Sequence, residues 1–204
     1  MTAIFYDLDN KLLACDSQAS DLEGNPVILD AIKFGISDEF ISVTAGNAEA
    51  CDRFNELITS AKYQEAMEFL QQQTLDDLAP ITVHIESGSY VNELSRGLGK
   101  QGCAIAYQGS GGDFLRHNYV TNNKDLDVAY GILVKDKYTY SGGLMRTYNF
   151  ASGVNNMKEV DFKVAANGEK KGYHFPVGQK TFDAKWTNET KHKNVKSIKD
   201  LIKQ

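Results

Sequence analysis

The sequence predicts an α+β fold in which two β-sheets stack and helices cover their outer faces. Three observations predict it. The candidate elements fall in segregated runs: strands, two helices, strands, two helices, strands. That order disfavours alternating βα units. The apolar spacing also switches between short β-rich runs and a helical period. Finally, helices on both outer sides of two stacked sheets would bury each apolar face once.

The elements follow in chain order. Residues 3–8 are apolar and aromatic, Asp9-Asn10 offers a tight turn, and Lys11 to Cys15 runs on. This reads as a hairpin with a two-residue loop. Residues 20–30, with Gly24-Asn25-Pro26, read as a loop. Phe40 to Ala45 is β-rich and ends at Gly46. Ala48, Cys51, Phe54, Leu57 and Ile58 then share one helical face, and Ala61, Met67 and Leu70 carry helical character toward Gln73. Pro80 opens a strand over Ile81–Ile85, Gly88-Ser89 turns the chain, and Ala104–Tyr107 is a further strand. One helix is expected from about Asp113, and a second places Leu126, Ala129, Tyr130 and Leu133 on one face. Leu144–Phe150 and Val160–Val164 read as strands, and a short helix is expected near Ile198–Lys203.

Composition narrows the function classes. The chain has 204 residues, 42% apolar and 24% charged, which suits one globular domain. No run of 18 apolar residues offers a membrane span. Residues 1–153 carry 11 basic against 21 acidic side chains, while residues 154–204 carry 11 against 6. An acidic body does not suit nucleic-acid binding, and 154–204 reads as a basic C-terminal extension. Cys15, Cys51 and Cys103 are scattered, and no basic region precedes an apolar stretch at Met1. A cytoplasmic protein with reduced thiols is therefore expected.

Several motifs invite chemistry. Ile4 to Asn10 includes Asp7-Leu8-Asp9, similar to the first motif of haloacid-dehalogenase-type phosphatases, in which two carboxylates hold Mg²⁺ and attack phosphate. Lys11 stands where that pattern expects Thr or Val, and the simpler reading places Asp7 and Asp9 at the end of a hairpin strand and in its turn. Gly97-Leu98-Gly99-Lys100-Gln101-Gly102 has dinucleotide-loop spacing but lacks the strand before it and the helix after it. His84, His117, His174 and His192 show no metal-ligand spacing, and no metal or organic cofactor is expected. Asn188-Glu189-Thr190 is a glycosylation sequon without a secretory context.

Thr2 carries a different chemistry. A small second residue permits removal of Met1, leaving a hydroxyl and a free α-amine on one Cα. Such an amine titrates at about 7.7–8.0 and can act as base for its own hydroxyl. The context is Thr2-Ala3-Ile4, a hairpin, then Leu12 to Ser20; Lys33; Thr44-Ala45-Gly46; Ile105 to Gly112; and Ser141-Gly142-Gly143. In that order and at that spacing, residues 2 to about 150 resemble the proteasome β-subunit family, closest to its HslV-type peptidases.

The resemblance implies a four-layer αββα sandwich of the N-terminal-nucleophile hydrolases, with 1–204 as one proteasome-like domain. It implies a threonine peptidase in which Thr2 attacks the carbonyl, Lys33 lies beside its hydroxyl and Asp16 pairs with Lys33. Gly46 would offer its N–H to the oxyanion, Ser110 would bond near the terminal amine, and Ser141 would support the same network. Ser20 and Asn47 would flank the cleft as substrate contacts. Partners implied are a peptide or unfolded protein, a homo-oligomeric ring and an ATP-driven unfoldase. A non-catalytic assembly or regulatory protein of the same fold is the alternative. Tyr138 favours it, standing where the proteasomal branch has an aspartate, with Asp136 the nearest acid. Taken singly, Asp16 could be a turn residue, Lys33 a surface lysine, Gly46 a strand-to-helix turn and Ser110 a helix cap.

Overall fold

The computed structural model describes residues 2–20, 26–28, 31–97, 104–135 and 141–157. Strands β1 (Ile4–Asp7) and β2 (Leu12–Cys15) form the first hairpin. They join β9 (Ile105–Gln108) and β10 (Arg146–Asn149) in an antiparallel sheet of order β10-β2-β1-β9. A second antiparallel sheet has the order β5-β6-β7-β8, from β5 (Phe34–Ile36), β6 (Phe40–Gly46), β7 (Leu78–His84) and β8 (Ser89–Tyr90). A small ribbon pairs β3 (Ala19–Ser20) with β4 (Pro26–Ile28). Helices α1 (Ala48–Thr59) and α2 (Tyr63–Gln72) pack together with α1 on the second sheet, and α3 (Gly112–Thr121) and α4 (Leu126–Leu133) pack together with α3 on the first. The described residues are thus a mixed α/β arrangement of two antiparallel sheets and four helices.

The alternation of side chains explains why β1 and β2 lack a polar face. Ile4, Tyr6, Leu13 and Cys15 point into a core shared with Ile41, Val43, Ile81 and Val83 of the second sheet. Their neighbours Ala3, Phe5, Leu12 and Ala14 point the other way, onto Leu115, Tyr119, Tyr130 and Leu133 of α3 and α4. Strands covered on both faces read as continuous apolar runs. A third cluster places Cys51, Phe54, Leu57 and Ile58 of α1 against Ala66, Leu70 and Leu78.

Several expectations are corrected. The first hairpin turns over four residues, Leu8–Lys11, since Asp7 pairs with Leu12. Asp7 accepts hydrogen bonds from the Asp9 and Asn10 backbone nitrogens at 3.0 and 3.1 Å, and Lys11 takes a positive φ of 53°. That side-chain-to-backbone turn outcompetes the two-residue loop. Ala61 is an exposed helix stop, not a helical position: its φ is 55°, its N–H donates to Ile58 O, and the Lys62 N–H donates to Leu57 O. This is the Schellman ending, here without its usual glycine. β7 begins at Leu78, ahead of Pro80, and part of the 20–30 stretch forms the β3–β4 ribbon. β10 is confined to Arg146–Asn149. β5 was not anticipated, being only three residues long. The expected strand at 160–164, the last helix, the basic extension beyond Met157 and the sequon lie outside the described residues, as do Cys103 and most of the Gly97–Gly102 stretch.

Candidate active site

Thr2 lies two residues ahead of β1, Asp16 follows β2, and Lys33 precedes β5. Antiparallel pairing of β1 with β2 brings the start of one strand to the end of the other, so Thr2 and Asp16 meet. Lys33 comes in from the facing sheet. Its Nζ lies 3.1 Å from Thr2 Oγ1 and 3.0 Å from Asp16 Oδ1. All three residues are buried, Lys33 at 4% exposure and Asp16 at 0%. Lys33 is therefore no surface lysine.

Asp16 is held from several sides. The Ala3 N–H donates to Oδ1 at 2.9 Å and the Gly142 N–H to Oδ2 at 3.1 Å, while the Asp16 N–H donates to Ala3 O at 3.0 Å. The Gly142 carbonyl accepts from the Ser17 and Gln18 N–H groups, and Ser17 Oγ accepts from the Leu144 N–H at 2.7 Å. A buried carboxylate with such donors and one cation is well compensated. Ala3, Ser17 and Gly142 lie inside the motifs around Thr2, Asp16 and Ser141 but carry no individual signal: Ala3 and Gly142 act through backbone N–H groups, and Ser17 Oγ through a backbone partner distant in sequence.

The Gly109–Gly112 turn wraps the other side of Thr2. The Gly111 N–H donates to Thr2 O at 3.1 Å. Gly109 has a φ of 81°, and a Cβ there would collide with the Thr2 carbonyl. A Cβ on Gly111 would collide with Ser141 Oγ, which places buried Ser141 beside this turn. Ser110 is exposed on the turn, and the N-cap of α3 is Gly111 instead. Gly46 ends β6 with a φ of 135°, and a Cβ there would collide with the Asp77 carbonyl. Asn47 caps α1, its Oδ1 accepting from the Glu49 and Ala50 N–H groups at 2.9 and 3.4 Å. Half-buried Ser20 accepts from Gln18 Nε2 at 3.0 Å. Tyr138 and Asp136 lie outside the described residues.

The polar groups around the ion pair stay neutral. Burial, reinforced by the Asp16 charge, pushes the Cys15 thiol up to about 12 despite Lys33 and Arg146. Burial and the Asp16 charge also raise the Tyr130 hydroxyl well above its ordinary value. Neither group is therefore in its ionised, nucleophilic form at neutral pH. Asp7 and Asp9 lie at the far end of the hairpin. Asp7 is fully buried and bonded to its own turn, to Asn10 Nδ2 at 2.8 Å and to Lys124 Nζ at 3.2 Å. Among the described residues, no group of three His, Cys, Asp or Glu side chains is arranged to hold a metal ion.

No protein-family model matches the chain, and no curated protein sequence matches it. Among solved structures it is similar to eukaryotic HslV from Trypanosoma brucei, with a TM-score of 0.49 and 16% identity, over 72% of this chain and 97% of that one.

Proposed function

We propose that this protein is an N-terminal threonine peptidase of the proteasome-like type, with Thr2 as nucleophile once Met1 is removed. The observation that carries the reading is the buried Lys33 ammonium, 3.1 Å from Thr2 Oγ1 and 3.0 Å from Asp16 Oδ1. A threonine hydroxyl beside a lysine that is itself paired is set up to lose its proton at neutral pH. The freed α-amine accepts that proton, and Oγ1 adds to the scissile carbonyl. The Gly46 N–H stabilises the oxyanion. Collapse releases the amine product with the proton and leaves an ester on Thr2, which water hydrolyses to regenerate the hydroxyl. Ser110 and Ser141 complete the network around the amine, and Ser20 and Asn47 border the bound peptide.

In this reading 1–204 is one proteasome-like domain of the four-layer αββα kind, with 154–204 as its basic extension. It acts in the cytoplasm as a homo-oligomeric ring on peptides or unfolded protein, with an ATP-driven unfoldase as feeder. A closed ring of heterologous contacts would sequester the cleft.

Intact mass before and after treatment with a panel of peptide epoxyketones tests the reading, with Thr2→Ala as control. Loss of Met1 and one adduct per chain, absent in the variant, is the expected result. Met1 retained, or Met1 lost with no adduct across the panel, overturns it in favour of a non-catalytic protein of the same fold.

A further inference from the structure

We propose that Thr44 and Asn55 are positioning residues that hold Lys33 at the nucleophile; the inference rests on the peptidase reading above. Lys33 lies just outside β5, so its backbone is fixed by what lies beyond the strand's own pairing. Its carbonyl accepts twice from Thr44, from the backbone N–H at 2.9 Å and from the hydroxyl at 3.3 Å. A hydroxyl has one proton. With that proton on the Lys33 carbonyl, Thr44 Oγ1 can only accept from Asn55, and Asn55 Nδ2 donates to it at 3.0 Å. The relay therefore runs in one direction, from α1 through β6 to the Lys33 backbone.

Two further observations set this relay apart from ordinary packing. Thr44 and Asn55 are 1% and 7% exposed, and Asn55 Oδ1 is buried with no hydrogen-bond partner among the described residues. A leucine of similar volume would bury no orphaned acceptor there. The amide is a costly choice unless its donor end matters. In addition, a Cβ on Gly35 would collide with the Asn55 backbone carbonyl. The same residue of α1 is thus pressed against the chain two positions beyond Lys33. The Cys51 thiol, one turn earlier on α1, lies against the same Thr44 hydroxyl.

The consequence is geometric. The lysine ammonium stands at the end of a flexible four-carbon stem, and its position at Thr2 depends on where its backbone is held. Thr44→Val keeps the N–H bond, the β-branch and the volume, and removes only the hydroxyl. Crystal structures of wild type and Thr44→Val decide the claim directly. The variant is expected to carry Lys33 Nζ beyond hydrogen-bond distance of Thr2 Oγ1. In peptide hydrolysis, kcat is expected to fall about tenfold with KM unchanged, since a small misplacement of a reacting group is felt in the transition state. Thr44→Ser should restore kcat, and Asn55→Leu should match Thr44→Val. The double variant Thr44→Val/Asn55→Leu should be no slower than the slower single one.

An unmoved Lys33 Nζ in Thr44→Val overturns the proposal. So does a variant that melts earlier while its folded fraction keeps full kcat, because that is a stability role alone. If wild type hydrolyses nothing, the peptidase reading fails separately, and the Nζ–Oγ1 distance still judges the relay.

Discussion

Asp16 Oδ1 binds Lys33 Nζ at 3.0 Å while accepting the Ala3 N–H at 2.9 Å. One oxygen atom thereby ties the ammonium to the backbone of the residue following Thr2. The Thr2 hydroxyl and the cation beside it are linked through Asp16, not only through their own 3.1 Å contact. A shift of the Lys33 backbone is therefore felt at the Asp16 contact as well as at the Thr2 contact.

This linkage separates two kinds of loss. Asp16→Ala leaves the Lys33 charge buried and uncompensated, which costs about 3–5 kcal/mol. For a domain of this size that is a fall in Tm of roughly 6–20 °C. Thr2→Ala removes one hydroxyl contact to the ammonium but leaves the ion pair intact, so its fall in Tm should be smaller than that of Asp16→Ala, while hydrolysis is abolished. Lys33→Ala should also abolish hydrolysis. Thermal unfolding beside a peptide assay checks all three. Full activity in Thr2→Ala or Lys33→Ala would contradict the assigned roles.

The glycines give a second contrast. Gly109 and Gly153 both have positive φ, 81° and 70°. A Cβ on Gly109 meets the Thr2 carbonyl, whereas nothing lies within 4 Å of one on Gly153. Gly153→Ala should cost only the backbone strain, roughly 1–2 kcal/mol, and keep full activity per folded molecule. Gly109→Ala must in addition displace Thr2, so its kcat/KM should fall by at least about tenfold. Equal activity in the two variants, normalised to the folded fraction, would show that the turn does not set the position of Thr2.

Much of this arrangement was legible in the sequence because it follows from a few strong signals. The apolar runs of β1, β2, β6 and β9 located the sheets, and the helical faces at Ala48–Ile58 and Leu126–Leu133 located α1 and α4. Thr2 stood out by its own chemistry, whereas Asp16 and Lys33 were marked only by the resemblance to the proteasome β-subunit family and, taken singly, read as a turn residue and a surface lysine. What stayed hidden depends on bonds that side-chain identity alone does not mark, some local and some between segments distant in the chain. Asp7 read as the end of a hairpin strand, with a catalytic carboxylate pair as the lesser alternative, and its bond to Lys124 was not foreseeable from the sequence. Ala61 gave no stop signal, because nothing in an alanine side chain marks the φ of 55° that the local helix-end hydrogen bonds go with. Thr44 and Asn55 read as strand and helix residues, and their bond crosses from α1 to β6.

Cysteine reactivity offers a third test. Burial raises the Cys15 thiol to about 12 and the Cys51 thiol to about 11. Thiolate is the reactive form, so neither residue should alkylate in the folded protein at about pH 8. Iodoacetamide followed by peptide mapping should find both unmodified until denaturant is added. Rapid labelling of Cys51 in native buffer would mean that α1 opens away from β6.

Asp7 supplies a pH test whose sign follows from its environment. Burial alone would raise its carboxyl, but the Asn10 backbone N–H, Lys124 and the Asn10 side chain together hold it below the ordinary 3.8. A carboxyl lowered on folding contributes stability above its unfolded value and loses it as pH falls through its folded value. Asp7→Asn should therefore be less stable than wild type at neutral pH. The gap should narrow progressively once pH drops below about 4, as Asp7 itself takes up a proton in wild type. Urea unfolding of both proteins across that range reads the difference directly. Lys124 is more than a third exposed, so part of its contribution is screened and the gap should shrink in salt. Peptide hydrolysis should be unchanged in the variant, because Asp7 lies at the opposite end of β1 from Thr2. A gap that widens in acid would place the Asp7–Lys124 pair on the destabilising side. Loss of a Mg²⁺-dependent phosphatase activity in Asp7→Asn would instead make Asp7-Leu8-Asp9 the working site.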